Sequence, residues 1–185
     1  NEELSKLETQ FGKNVMADTN DLAVLVDSLE ELDGLSENEI AAAAAAAKDR
    51  GHDGKWLIGM VNFTGNPVLD SLTNRELRKK IMEASKMKAN RPNENDNKPV
   101  ILQMVKLRAE RAKLFGKETH AEHVIAVQTA EHPDNVHAML RKIAPAAVRN
   151  AKAEAEDLKK SAGTDIESWD WGLYTEQVRL EKYNI

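Results

Sequence analysis

At 185 residues and 20.6 kDa, the chain is long enough for one compact domain, or two small lobes sharing a core; at that size it buries roughly 70% of the surface its unfolded form exposes and needs no disulfide or metal to hold together. Its 26 basic and 31 acidic residues leave a net charge of -5 and a pI near 5.6, which argues against the basic face that nucleic-acid binding requires. Cysteine is absent, which excludes disulfides, thiolate metal sites and a cysteine nucleophile, and no apolar run approaches the roughly 20 residues of a membrane span or forms a signal-peptide h-region. These features predict a soluble, cytoplasmic protein with no nucleic-acid or membrane partner.

In chain order, Leu4, Leu7, Phe11 and Val15 recur at helical spacing and predict an amphipathic helix over residues 2–18. Leu22–Val26 is short and β-branched and reads as extended. Ser36 and Glu39 form a capping box, in which the hydroxyl and the carboxylate each take the other residue's amide. Seven alanines, Ala41 to Ala47, then make a helix narrow on every face, with Gly51 as its left-handed stop. Lys55–Val61 and Pro67–Leu72 flank the turn-rich pentad Asn62–Asn66, a pattern that predicts two short strands or a loose hairpin around residues 55–72.

Helical periodicity resumes from Thr73 to about Ala89. Residues 90–99 form a polar, proline-bounded linker that separates 1–89 from 100–185, with Asp96 as the N-cap of the next helix and Pro99 in its first turn. That helix runs to Gly116, a shorter one covers about 119–131, and a long one runs from Pro133 to about Ser161 with a kink or break expected at Pro145. A last helix spans 168–182, begun by Ser168. The fold class is therefore mainly α, a multi-helix arrangement with one short two-stranded β element. No repeat of solenoid length recurs.

Charge and aromatics are unevenly placed. Residues 1–40 carry a net of -9 and the remainder a net of +4. Either an acidic arm lies on a mildly basic body, or several helix faces are simply solvated; spread-out surface charge favours the second. Trp169, Trp171, Tyr174 and Tyr183, half of the eight aromatics, crowd the C-terminal end, which ought to be buried against something. With an N-terminal Asn1 in place of methionine and no polar tail before Ile185, the chain reads as a piece of a longer protein.

The search for chemistry comes up nearly empty. His120 and His123 sit at i, i+3 with Glu122 next to the second histidine, a pattern that is neither H-E-x-x-H nor H-x-x-E-H. Surface or capping roles suit them better than a weak divalent site, and His132 occupies an N-cap position before Pro133. His137 follows without partners. There is no Gly-rich phosphate loop and no G-x-S-x-G. The carboxylate pairs Glu30 with Glu31 and Glu154 with Glu156 lie on solvated helix surfaces, where nothing would raise a carboxyl pKa for acid–base work. Met82, Met87 and Met104 read as core. Arg108 and Arg111 could bind an anion, although a salt bridge with Glu110 on the helix surface is the plainer reading. Trp169-Asp170-Trp171 could form an aromatic shelf, but packing at a helix start is favoured. No catalytic, cofactor-binding or metal-ligating residue is assigned.

Several stretches together nevertheless resemble one family. They are LSENEIAAAAAAAKDRG (Leu35–Gly51), GKWLI (Gly54–Ile58), LTNRELR (Leu72–Arg78) with EAS (Glu83–Ser85), LRAERAKLFG (Leu107–Gly116), THAEHV (Thr119–Val124), QTA (Gln128–Ala130) and WDWGLY (Trp169–Tyr174). Their collinear succession, from about residue 4 to Tyr183, resembles the zinc oligopeptidases of the thimet oligopeptidase, neurolysin and bacterial peptidyl-dipeptidase group, most of all the bacterial peptidyl-dipeptidase and oligopeptidase A branch. The resemblance implies that residues 1–185 are a single helical fragment of a larger metallopeptidase, preceding its catalytic core and forming part of the wall of a channel that admits short peptides. It implies zinc in the parent enzyme and none on this fragment.

Family members carry H-E-x-x-H and a further glutamate ligand downstream of the Trp-Asp-Trp segment. This chain ends first, so no catalytic residue carries over and the fragment alone is expected to be inactive. Its expected partners are the C-terminal catalytic half of the same chain and, in the parent, short peptide substrates. The family's Asn-Thr-Thr-like turn reads Asn62-Phe-Thr64 here, and its Gln-Pro reads Asn66-Pro67, so backbone contacts of that turn do not transfer. The alternative is a free-standing helical binding or scaffold module without catalytic activity.

Overall fold

The computed structural model describes residues 2–61 and 67–183. Among them the order is α1 (Glu2–Asp21), β1 (Val24–Val26), a 3-10 turn (Leu29–Leu32), α2 (Glu37–Asp49), β2 (Trp56–Ile58), α3 (Val68–Ser71), α4 (Arg75–Lys86), α5 (Lys98–Leu114), α6 (His120–Ile125), α7 (Pro133–Ala162) and α8 (Trp171–Tyr183). The expected mainly α architecture with one small β element is thus the one adopted. No helix among the described residues is long and apolar enough to cross a membrane.

The strand pairing differs from the hairpin expected around residues 55–72. β2 pairs antiparallel with β1, Val24 opposite Ile58 and Val26 opposite Trp56, while Val68–Ser71 is a helical turn. The reason is which side chains reach the core. Val68, Leu69 and Leu72 are all buried, and their i, i+1, i+4 spacing puts them on one side of a helical turn, whereas a strand would turn alternate residues outward. The expected turn at Asn62–Asn66 lies outside the described residues.

The apolar core is drawn from a short stretch of chain. Val24, Val26, Leu32, Ile58, Met60, Val68, Leu69, Leu72, Leu77 and Ile81 form one buried cluster with Ala43 of α2. The capping box starts α2 as expected: Ser36 Oγ accepts from Glu39 N at 3.3 Å, and Ser36 N donates to Glu39 Oε2 at 2.8 Å. A second box, Ser28 with Glu31, opens the 3-10 turn. Ala43 and Ala47 are buried where α2 meets β2, because methyl groups at i and i+4 let the helix axis come close to the strand. Gly34 has φ +92, and a Cβ there would collide with the Ser71 carbonyl, so the turn before α2 needs glycine.

Helix boundaries shift in several places. α4 begins at Arg75, with the Asn74 side chain accepting from Leu77 N at 3.0 Å. Asn97 occupies the cap position of α5, although Asp96 Oδ1 accepts the Lys98 N–H at 3.0 Å and Pro99 lies in the first turn. α6 stops at Ile125, well short of residue 131. α7 continues through Pro145 without a break. Residues 141–150 are all exposed, so water can reach the Arg141 carbonyl that loses its partner.

Two buried carboxylates fold the rest of the chain onto this core. On α1, the apolar stripe expected from the sequence is only partly covered, with Leu4 buried, Leu7 and Val15 half-buried and Phe11 exposed, and the other buried positions are Asn14 and Asp18. Asp18 accepts from Ala89 N at 2.8 Å, Arg91 Nη2 at 2.7 Å and Asn95 Nδ2 at 3.0 Å. Asn14 Nδ2 donates to Asn97 Oδ1 at 2.8 Å, and Asn97 Nδ2 to the Phe11 carbonyl at 3.1 Å. The polar stretch 90–97 is therefore bonded along α1, and α5 packs beside that helix. The geometry holds Ala89 at φ 52, a left-handed conformation unfavourable for a residue with a Cβ.

Asp170 plays the same part for the C-terminal third. Arg78 is 1% exposed and donates to Asp170 Oδ1 at 2.7 Å and to the carbonyls of Leu72, Thr73 and Trp169 at 2.9, 2.9 and 3.1 Å. Arg75 Nη2 reaches Asp170 Oδ2 at 2.8 Å, and Glu167 N donates to the same oxygen at 2.9 Å. α8 accordingly starts at Trp171 rather than Ser168. It lies against α3, where a Cβ on Gly172 would meet Asp70 and the Leu69 carbonyl.

Two outcomes follow from these clusters. Asp170→Ala leaves the Arg78 guanidinium buried without its anion and is expected to cost about 3–5 kcal/mol in the urea unfolding of the chain; Lys6→Ala, which removes only the surface pair with Glu2, should cost below about 1 kcal/mol. Arg91 holds the Asp18 carboxyl well below the usual carboxylate range against the opposing effect of burial, with Asn95, the Ala89 amide and Asn93 adding to it. A carboxyl depressed by folding contributes its full stabilisation above its unfolded pKa, about 3.9, and loses it as pH falls through the lower folded value. Urea midpoints should therefore drop as pH falls below about 4, and Asp18→Asn should be less stable at pH 7 but decline more shallowly in acid.

Candidate functional site

The histidines are brought into one corner without forming a metal centre. Thr119 caps α6 through a bond from Glu122 N, which starts the helix at His120. The His120 and His123 rings lie 6.4 Å apart between centroids, and His123 stacks on Phe115 at 4.7 Å. Nδ1 of His120 and Nε of Arg111 are buried without a hydrogen-bond partner. Burial lowers the His120 pKa, and Arg111, Arg108 and His123 lower it further. A zinc site needs at least three converging protein donors, and these rings supply two. No group of three histidine, cysteine, aspartate or glutamate residues able to hold a metal occurs among the described residues, and the nearest charges are cationic, so this corner does not fit the ion.

The remaining sequence candidates separate into structural roles. His132 caps α7, its Nδ1 accepting from Asp134 N at 3.2 Å. His137 is exposed. Arg108 reaches across to Glu8 on α1, 3.2 Å away, instead of pairing with Glu110 on its own helix. Glu31 is absorbed in a capping box, and Glu154 borders the cleft between α7 and α8. Met104 is buried and Met82 packs against the core, but Met87 is 37% exposed.

Trp169-Asp170-Trp171 is packing at a helix start: the Trp169 carbonyl accepts from Arg78, and Lys79 Nζ sits 5.3 Å from the centroid of its ring. The C-terminal aromatics are less covered than expected, Trp171 being 37% and Tyr183 68% exposed. The buried side of α8 is set by Leu173 and by Gly172 against α3, which turns the aromatic rings elsewhere.

Among the concave surfaces of about 280–370 Å³ that the described residues form, two are enclosed by packed elements with long apolar walls. One, of about 280 Å³, lies between α2, β2 and α3, with Leu35, Ala42, Ala46, Leu57 and Val68 on its walls and Glu39 and Arg50 on its rim. It exists because α2 is built of alanines: methyl groups leave open a trough that larger side chains would fill. The other, of about 310 Å³, runs between α7 and α8 past Leu158, Trp171, Val178 and Tyr183. Neither presents a nucleophile paired with a base. Both suit the burial of apolar side chains, with charged groups at the edges to orient them. The alanine run was visible in the sequence as a narrow helix, but which strand would face it was not.

The chain matches the family described as "Peptidase family M3" over residues 68–185. It is 35% identical over 190 residues to a protein of Escherichia coli (strain K12) named "Dipeptidyl carboxypeptidase", an alignment that covers 100% of this chain and 28% of the relative. It is 32% identical over 199 residues to "Probable cytosolic oligopeptidase A" of Arabidopsis thaliana, with the same two coverages. With "Oligopeptidase A" of Haemophilus influenzae it shares 32% identity over 192 residues, covering 98% of this chain and 28% of that protein. The chain spans little more than a quarter of the length of these relatives.

Since Arg111 depresses the imidazole electrostatically, Arg111→Gln should raise the His120 titration midpoint in a proton NMR pH series. An unchanged midpoint would leave the shift to burial, Arg108 and His123.

Proposed function

The chain belongs to peptidase family M3, and on that premise we propose that it is a non-catalytic helical portion of a zinc metallopeptidase that hydrolyses short peptides. The single observation that carries this reading is similarity along essentially the whole chain to peptidases of which it spans 28%. The parent is of the peptidyl-dipeptidase or oligopeptidase type, as the names of those relatives suggest, and acts in the cytoplasm. Residues 1–185 form one unit of it. They contribute no catalytic, cofactor-binding or metal-binding residue; the zinc ligands and the base that activates water belong to a catalytic half outside this chain.

In this reading the role of the chain is to shape access. Part of its surface forms a wall of the substrate channel, and the alanine-lined trough between α2 and β2 supports that role, because it offers an apolar recess with a carboxylate and a guanidinium at its rim. Such a wall admits an extended peptide side chain and supplies no reacting group, which agrees with the scattered, structurally committed histidines and carboxylates.

The test compares two proteins. The full-length polypeptide should cleave short peptides and lose that activity to a chelator. The 185-residue chain should show no cleavage and bind less than one equivalent of zinc. One zinc per 185-residue chain with chelator-sensitive cleavage would overturn the assignment. A reading frame that stops just after Ile185 would favour a free-standing helical binding module instead.

A further inference from the structure

α7 is held at its two ends and bare between them: its first turns pack against α6, with Pro133 and Val136 half-buried, and its last turns pack against α8. Leu158 is buried beside Trp171 and Val178 of α8, and Asp157 pairs with Lys182 at 2.7 Å. Residues 137–154, by contrast, are exposed without interruption, an arm of about 27 Å at 1.5 Å per residue. Its larger apolar residues stand more than half exposed: Met139 is 55% exposed, Leu140 52%, Ile143 53% and Val148 51%.

Leu140 continues an interface that already exists, with Ile143 beside it. Leu140 precedes Leu158 by eighteen positions, about five turns at 3.6 residues per turn, so the two project along the same line of the helix. Ala144, Ala147 and Ala151 fall close to that line. The line is covered by α8 at Leu158 and bare from Ala151 back to Leu140. α8 itself advances along it in the antiparallel sense. Glu181 meets Ser161 at 3.4 Å, Lys182 meets Asp157, and Tyr183 borders the same cleft as Glu154. A helix of this length that carries an internal proline is marginal on its own in water, and an amphipathic face gains its stability from being packed.

We infer that the Leu140–Ala151 line of α7 is an internal docking seam, covered in the full-length protein by a part of the same polypeptide that lies outside residues 1–185. The inference rests on the reading of the chain as a portion of a longer peptidase, whose relatives are more than three times its length, and it adds the surface through which the portions join. The occupant presents an apolar face, continuous with the one α8 presents to Leu158. It carries carboxylates at its edges, because residues 135–153 contain Arg141, Lys142, Arg149 and Lys152 and no acidic residue.

Amide hydrogen exchange on the full-length protein tests this. The expected result is that amides of residues 137–153 exchange at least 100-fold more slowly there than in the 185-residue chain. Leu140→Asp, and independently Ala147→Glu, should each accelerate exchange across that stretch at least tenfold in the full-length protein while leaving the β1–β2 amides unchanged. Equal exchange rates in the two proteins would overturn the inference. So would protection of the isolated chain that grows with its concentration, which would assign the seam to a second copy. Peptide cleavage by the same full-length sample is read separately. Cleavage with an unprotected arm sinks the seam and spares the peptidase reading; a protected arm without cleavage does the reverse.

Discussion

Arg78 is an arginine with 1% of its surface exposed, and its guanidinium joins the Asp170 carboxylate to three carbonyls drawn from two distant stretches of chain. A buried charge is tolerated only when paired and hydrogen-bonded on all sides, so this group forces Leu72, Thr73, Trp169 and Asp170 into one place. Burial alone would push the Asp170 carboxyl upward, yet its pKa is lowered, because the bonds from Arg75 and Arg78 outweigh the loss of water. The position of α8, and through it of α7, depends on that balance.

Asp18 repeats the device at the other end. The main apolar cluster lies within residues 24–81, and the segments outside it, which bury a few further apolar side chains such as Leu4, Met104, Leu158 and Leu173, are fixed by polar contacts: α1 and the 89–97 stretch through Asp18, the C-terminal third through Asp170. Hydrogen-bonded carboxylates are directional, and they fix where a segment docks more narrowly than apolar burial would. The polar stretch 90–97 is therefore an ordered part of the fold, with Asn93 and Asn95 taken up by Asp18 and Asn97 by Asn14 rather than left to water.

This construction suits the role proposed for the chain, that of shaping a surface while other residues supply the chemistry. Glu31, Glu39 and His132 are occupied in caps and Asp18, Asp157 and Asp170 in ion pairs, while the apolar trough beside α2 and the outward line of α7 remain open. The two surfaces differ in kind. The trough is a small recess with charged groups at its rim. The α7 line is long, continuous with an interface that α8 already forms, and flanked by basic residues only.

Much of the fold was legible in the sequence where the signal is local. Ser36 with Glu39 marked the start of α2, Gly51 its end and Pro99 the first turn of α5, because each satisfies or removes a backbone group within a few residues of itself. The family resemblance was likewise legible, since it rests on the order of short motifs. Pairing was not: Val24–Val26 looked extended, but nothing in it names Trp56–Ile58 as its partner, and Val68–Leu72 could be told from a strand only by the direction in which its neighbours present the core. The buried roles of Asp18 and Asp170 were equally hidden, because an aspartate becomes a hub through arginines 73 and 92 residues away. The sequence by itself determined the start of α2, the mainly α class and the family, all set by short-range bonding and motif order. Tertiary structure alone decided the strand partners, the two carboxylate anchors and the faces left bare, since each depends on groups that meet only once the chain has folded.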